Sequence, residues 1–196
     1  WESPTIAGPW RVRDVVAHIV DLSLRRLSFH RDRMAPPPPT RPINSAQDFV
    51  AFINDINAQW VTAARRLSPR VLTDLAELAT TGLAAWFEGL PFDAPALFGV
   101  SWAGESESAG WFDVGREYTE LWHHQQQIRL AVHAPLLNDA ALLRPVIEIG
   151  LRALPFAYRD VGETGEAVAI EIAGAAGGAF SLERRASGWR LGAGGP

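Results

Sequence analysis

Three residues of this 196-residue chain have types and spacing suited to binding a metal ion: His18, Glu120 and His124. Glu120 and His124 are four positions apart in a segment of helical periodicity, so their side chains lie one turn apart on one helix face. Neighbouring carboxylate and imidazole groups can chelate a divalent cation. A hydrogen bond at the protein surface is the more common role of such a pair. The spacing therefore leaves both interpretations open.

His18 lies at the edge of an apolar stripe in the first predicted helix, beside Val15 and Ile19. His124 lies nearer to the apolar stripe of its own helix than His123 does, which makes His123 the weaker candidate. If the two stripes face one core, His18 completes a set of two histidines and one carboxylate, the ligand set of open catalytic zinc sites. Periodicity does not show that such distant residues converge. A hydrogen-bonded histidine between helices is the alternative interpretation of His18.

Two aspartates flank His18 by about one helical turn on either side. Asp14 precedes it by four positions and Asp21 follows it by three. Carboxylates in such positions often orient a metal-binding imidazole through its second nitrogen. The alternative is that they are solvated or paired with Arg11 or Arg25, which is the more common role of an aspartate on a helix surface.

The composition excludes several other kinds of chemistry. The chain contains no cysteine and no lysine, since all 18 basic residues are arginine. A cysteine nucleophile, a thiolate zinc site, a Schiff-base lysine and a P-loop lysine are therefore absent. With 22 acidic residues the net charge is −4, which disfavours nucleic-acid binding. No apolar run approaches the length of about 18 residues that a membrane-spanning helix needs.

Helical periodicity dominates the first three quarters of the chain and predicts the elements that carry these residues. The predicted helices run from Val12 to Met34, from Ser45 past Trp60, from Ser68 to about Leu90, from about Trp111 to His133, and from Asn138 or Asp139 to near Leu154. Ser45 and Ser68 are expected as N-caps, and the run Pro36–Pro39 prevents the first helix from continuing. The inward faces of the second and third helices are expected to include Phe49 and Leu78.

After Tyr158 the sequence pattern changes from helical to alternating. Short strands are predicted at Ala167–Ile172, at Phe180–Arg184 and near Trp189–Leu191. A β-rich tail of this size is too small to be stable alone. We therefore expect a mainly α fold, in which residues 1–158 form a metal-binding helical bundle. Residues 159–196 are expected to form a β-containing C-terminal domain that is incomplete.

Three segments carry a family likeness. Residues 10–19 read Trp-Arg-Val-Arg-Asp-Val-Val-Ala-His-Ile, residues 120–124 read Glu-Leu-Trp-His-His, and residues 153–159 read Ala-Leu-Pro-Phe-Ala-Tyr-Arg. They resemble the mycothiol-dependent maleylpyruvate isomerase family, which belongs to the DinB/YfiT-like group. Its pattern has a tryptophan before Val-Arg-Asp-Val-Val-Ala-His and a later Glu-x-Trp-x-His. The likeness implies a DinB/YfiT-like four-helix bundle with a small α/β or β-rich extension, and it implies that His18, Glu120 and His124 are the metal ligands.

The same likeness implies a zinc-dependent thiol enzyme, with Zn²⁺ or another divalent metal as cofactor and mycothiol as co-substrate. Bound zinc deprotonates a coordinating thiol, and the resulting thiolate would attack a small electrophilic substrate, either to isomerise maleylpyruvate or to transfer the thiol. The lysine-free composition suits the GC-rich actinobacteria that make mycothiol. A non-catalytic metal-binding bundle and a metal-assisted hydrolase are the alternatives. We expect a cytoplasmic monomer or homodimer that binds neither nucleic acid nor membrane.

Overall fold

A computed structural model describes residues 1–193 of the chain. The helical elements are α1 (Val12–Arg25), a π-helical turn (Arg26–Arg31), α2 (Ala46–Ala64), α3 (Pro69–Glu88), a 3-10 turn (Ser101–Ala103), α4 (Gly110–Ala131), α5 (Ala140–Leu151) and α6 (Leu154–Ala157). Three strands follow them. The fold is mainly α, with a helical bundle and a small β extension, as the sequence predicts. None of the helices within residues 1–193 is long and apolar enough to cross a membrane.

Side chains just outside the helices determine where several of them begin. Ser45, Ser68 and Asp139 each accept a hydrogen bond from a backbone N–H of the first turn, at 3.1, 3.3 and 3.1 Å. Asp14 stabilises the start of α1 by accepting the Arg11 N–H at 3.0 Å. Such caps satisfy N–H groups that have no partner within the helix. The predicted N-caps Ser45 and Ser68 are confirmed.

The strands β1 (Ala167–Ile172), β2 (Gly178–Arg185) and β3 (Gly188–Ala193) form an antiparallel sheet in the order β1-β2-β3. Their positions agree with the alternating segments of the sequence. Phe180 and Leu182 on β2 are buried, because the central strand of a sheet is covered by its neighbours and by whatever packs on its face. The buried part of the sheet is therefore its central strand, whereas β1 is largely exposed.

The chain divides into two compact units, and the division passes through α4 between His123 and His124. The first unit comprises residues 1–90 and 124–135. In it α1 packs against α2 and α3, around the buried side chains of Ala17, Ala64 and Leu72. The domain boundary that the sequence predicts after residue 158 stays a prediction.

The second unit comprises residues 91–123 and those from Leu136 onward. Its core contains Val100, Phe112 and Ile149. The long connection before α4 is held to this core, because the Val100 N–H donates to the Ser108 hydroxyl at 2.9 Å. This bond adds to backbone hydrogen bonds within the connection, such as that from the Ala96 N–H to the Ser108 carbonyl at 2.8 Å.

Three details of the sequence prediction are wrong. The first helix does not run unbroken to Met34, since α1 ends at Arg25 and a π-helical turn follows. Apolar periodicity does not distinguish i→i+4 from i→i+5 hydrogen bonding, and it therefore missed this change. Phe49 and Leu78 are not inward-facing, with 48% and 69% of their surface exposed. Periodicity shows which residues share a helix face, but not how far along that face another helix packs.

Candidate functional site

The first unit brings His18 of α1 and His124 of α4 together. Their imidazole rings meet edge to face, with centroids 4.7 Å apart and planes at 87°. Both residues are buried, with 5% and 8% of their surface exposed. Burying two imidazoles in contact costs folding free energy, because each ring carries polar nitrogens that need a hydrogen-bond partner or a metal ion. This pair is the centre of the candidate site.

Buried apolar residues adjoin His18 in the sequence of α1, and an aromatic ring contacts it from outside that helix. Val15, Ala17 and Ile19 are buried next to it in sequence. The Trp10 ring lies 4.9 Å from the His18 ring, tilted by 52°. An indole in contact with an imidazole limits the movement of that ring and keeps water away from the side that it covers. The residues before and within the first helix therefore hold His18 in place.

A hydrogen bond on its own helix orients His124. Its Nδ1 lies 2.9 Å from the Gln127 Oε1. An amide oxygen only accepts hydrogen bonds, so this contact requires the proton on Nδ1 and leaves the lone pair on Nε2. Metal-binding histidines are commonly held in one tautomer in this way by a partner on the second nitrogen. Gln127 was not singled out from the sequence, although its spacing of three residues from His124 is the available signal.

The geometry of the two rings is compatible with a shared metal ion. Imidazole nitrogens bind zinc at about 2.0–2.1 Å, which places two ring centroids about 5 Å apart on one tetrahedral ion. The observed separation is 4.7 Å. Within residues 1–193, however, no three His, Asp or Glu side chains are grouped closely enough to hold a metal ion. The two histidines thus fit two positions of such a site.

The carboxylates of α4 differ in their exposure. Glu120, one turn before His124 on the same helix, is exposed, and so is His123. Glu117 is buried, with 4% of its surface exposed, and Asp113 is buried as well. Glu117 precedes His124 by seven residues, or about two turns, so the two residues lie on nearly the same helix face. Glu117 was not among the residues singled out from the sequence, although its spacing of seven residues from His124 was the available signal.

The two aspartates of α1 are both paired with arginines. The Arg65 Nε lies 3.0 Å from an Asp14 oxygen, and the Arg25 guanidinium lies 3.0 Å from Asp21. Burial raises the pKa of Asp14, but the hydrogen bonds from Arg65 and from the Arg11 backbone outweigh it, so the pKa lies below its ordinary value. For Asp21 burial dominates over the attraction of Arg25, and its pKa is raised.

Comparison with known protein families matches residues 1–129 to the family described as "Mycothiol maleylpyruvate isomerase N-terminal domain". The chain belongs to this family. No curated protein and no solved structure gives a match. The family resemblance read from residues 10–19 and 120–124 is therefore confirmed.

The matched range, residues 1–129, covers the histidine pair and its surroundings but not the C-terminal part of the chain. In this member of the mycothiol maleylpyruvate isomerase N-terminal domain family, it includes His18, His124, Gln127 and the carboxylates of α4. It ends before α5 and the sheet. The family description names mycothiol, so a low-molecular-weight thiol is the partner that it suggests.

Proposed function

We propose that this protein is a zinc-dependent thiol enzyme that uses mycothiol, of the maleylpyruvate isomerase or thiol S-transferase kind. The observation that carries the proposal is the buried contact between His18 and His124, whose ring centroids are 4.7 Å apart, within a chain of this family. Two histidines and one carboxylate form a known ligand set of catalytic zinc, and metal sites of helical bundles are built in the core from side chains on facing helices.

In the proposed site His18 and His124 are two ligands of a divalent metal ion. Glu120 is the third, as the family likeness implies, and the remaining position is open to a thiol. Bound zinc supplies a positive charge that deprotonates a coordinating thiol near neutral pH. A set of two neutral imidazoles and one carboxylate leaves that positive charge largely uncompensated, which favours an anionic sulfur over a neutral one.

The residues around the histidines have separate tasks in this proposal. Gln127 accepts a hydrogen bond from His124 Nδ1, so that Nε2 would be the nitrogen that binds the metal. Trp10 restricts the His18 ring and excludes water from one side of it. The chain has no cysteine and no lysine, so the attacking group is supplied by the co-substrate.

The experiment is an assay of the zinc-loaded protein with maleylpyruvate and a panel of small electrophiles, with mycothiol added or withheld. We expect turnover that requires both zinc and mycothiol. Replacing His124 by Ala should lower it by more than the roughly 10–100-fold effect of removing a residue that merely supports a metal ligand. His123→Ala is the matched control, because that exposed residue lies one position away, and its activity should be unchanged.

Three outcomes of this assay count against the proposal. Zinc-dependent turnover that is equally fast without any thiol favours a metal-assisted hydrolase. Zinc binding without thiol binding or turnover favours a non-catalytic metal-binding bundle. Full activity of the His124→Ala protein overturns the assignment of that residue.

A further inference from the structure

The second unit contains a cavity of about 400 Å³ between α4 and α5. Its walls include Phe92, Trp111, Tyr118, Pro145, Ile149 and Arg152. The volume lies in the range of about 300–1,000 Å³ that is typical of small-molecule sites, and the mixture of aromatic walls with few charged groups is typical of them too. None of these residues belongs to the histidine pair or to its immediate surroundings.

Two contacts between α4 and α5 determine the shape of this cavity. Gly115 lets the two helices approach closely, because a Cβ at this position would lie 2.5 Å from the Ile149 Cδ1. The Tyr118 hydroxyl donates to the Leu142 carbonyl at 2.8 Å. Both contacts involve residues of the cavity lining and hold α4 and α5 together, so the walls of the cavity are present before any ligand arrives.

A single cation at the cavity has no carboxylate partner. The Arg152 guanidinium lies over the Trp111 ring, 4.6 Å from its centroid. Glu148, the acidic residue of the lining, is paired with Arg144 at 2.6 Å. In the part of the chain that the structure describes, no ion pair joins Arg152 to an acidic side chain. The positive charge of Arg152 therefore stays available to an anion.

The chemistry of the Arg152 side chain determines how that anion would be held. A guanidinium carries its N–H groups at the edge of its plane, where they match the two oxygens of a carboxylate, and a cation–π contact with an indole does not consume them. Such bidentate, charge-assisted hydrogen bonds are among the stronger ones in proteins. The Trp111 indole and the phenyl ring of Phe92 supply apolar surface in the lining of the same cavity.

We propose that this cavity binds a small, planar organic carboxylate, with its apolar ring against Trp111 and its carboxylate on the N–H edge of Arg152. The proposal does not depend on a metal ion or on mycothiol. The ligand would be recognised by a bidentate ion pair between its carboxylate and Arg152 and by the aromatic walls of the cavity. Phosphate alone would not fill the apolar space, and a neutral ring would leave the guanidinium without its partner.

The test uses benzoate as the probe and benzamide as its uncharged counterpart, titrated into the full chain by calorimetry and by NMR of the tryptophan indole N–H groups. We expect saturable 1:1 binding of benzoate with a Kd of about 1 mM or tighter. Benzamide should bind at least about tenfold more weakly, since it lacks the ion pair. The Trp111 indole resonance should shift. That of Trp60, whose N–H is bound to the Ala17 carbonyl, should not.

The matched variants are Arg152→Gln and Arg159→Gln. Arg159 also lies over an aromatic ring, with its guanidinium carbon 4.1 Å from the Phe156 centroid, but it does not line the cavity. Arg152→Gln should weaken benzoate binding at least about tenfold, whereas Arg159→Gln should leave it unchanged. Equal affinity for benzoate and benzamide, equal weakening by both substitutions, or no saturable binding would overturn the proposal.

Discussion

The surroundings of the two histidines and the cavity beside Arg152 use polar groups in opposite ways. His18 and His124 are buried, and the charged groups near them in sequence, Asp14 and Asp21, are paired with arginines. Arg152 is exposed, lies on Trp111 and has no acidic partner within residues 1–193. The proposed metal site is thus part of the buried core, whereas the proposed carboxylate site is accessible from solvent.

This difference has an energetic consequence. A buried polar group that loses its partner costs about 1–3 kcal/mol, and more when it is charged. An exposed cation that loses its aromatic contact costs about 0.5–1 kcal/mol. Substitutions around the histidines should therefore change metal binding and folding together. Substitutions at the cavity should change ligand binding with little effect on the free energy of unfolding.

The largest effect is expected for the histidines themselves. His18→Ala and His124→Ala should each lower the affinity for zinc by at least about 100-fold, because each removes a direct ligand rather than a supporting residue. His123→Ala should retain stoichiometric zinc. Metal analysis of the purified proteins after dialysis against a weak chelator measures this. Stoichiometric zinc in the His124→Ala protein contradicts the proposed site.

The third ligand is tested by a matched pair of substitutions on α4. If Glu120 binds the metal, Glu120→Gln should weaken zinc binding by at least about 100-fold, as expected for a direct ligand, and Glu117→Gln should leave it within a few-fold of the parent. Isothermal titration of the apoproteins with zinc gives both affinities. The reverse result would move the third ligand to Glu117, the carboxylate that is buried on the face of His124.

A smaller effect is expected from the ion pair between the buried Asp14, at the start of α1, and the half-exposed Arg65. Asp14→Asn should lower the free energy of unfolding by about 1–3 kcal/mol at neutral pH, because the Arg65 contact and the charged cap of the Arg11 N–H are lost. The pKa of Asp14 is lowered in the folded state, so its stabilisation is present above the unfolded pKa and is lost as the pH falls through the folded one. Urea unfolding at neutral and at strongly acidic pH should show the difference between the two proteins shrinking in acid.

Glu2→Gln is the control for that measurement. Glu2 is exposed and paired with Arg11 and Arg13 at the surface, and such pairs contribute little. If Glu2→Gln lowered the free energy of unfolding as much as Asp14→Asn does, the burial of Asp14 would not explain the effect of its substitution.

Asp21 should respond to pH with the opposite sign. Burial raises its pKa in the folded state, so the protonated form stabilises the fold below the unfolded pKa, and this stabilisation disappears as the pH rises through the folded one. Asp21→Asn, which mimics the protonated form, should therefore be at least as stable as the parent at neutral pH, with a change of less than about 1 kcal/mol. Urea unfolding at pH 7 measures it, and a clear destabilisation there would show that the Arg25 contact outweighs burial.

The smallest effect on folding is expected at the cavity. Arg152→Gln should change the free energy of unfolding by about 0.5–1 kcal/mol or less, the value of an exposed cation–π contact. The same urea experiment measures this change. A loss of folding free energy as large as that of Asp14→Asn would contradict the prediction that substitutions at the cavity have little effect on folding.

Part of this architecture was predictable because it depends on residues close together in the sequence. Ser45 and Ser68 begin helices through hydrogen bonds within one turn, and the alternating segments after residue 166 became the strands of the sheet. These features need only local backbone chemistry and a period of 3.6 or 2. The segments that contain His18 and His124 were recognisable by likeness to a family, which the match over residues 1–129 confirms.

Other features were decided only by tertiary packing. The contact between the rings of His18 and His124, the exposure of Leu78 and the stacking of Arg152 on Trp111 each join or separate elements that are distant in the chain. Periodicity assigns a residue to a face of its own helix, but the partner of that face depends on how whole helices fill space against one another. The sequence by itself therefore determined the helices, the strands and the family. The packing of those elements decided which side chains meet.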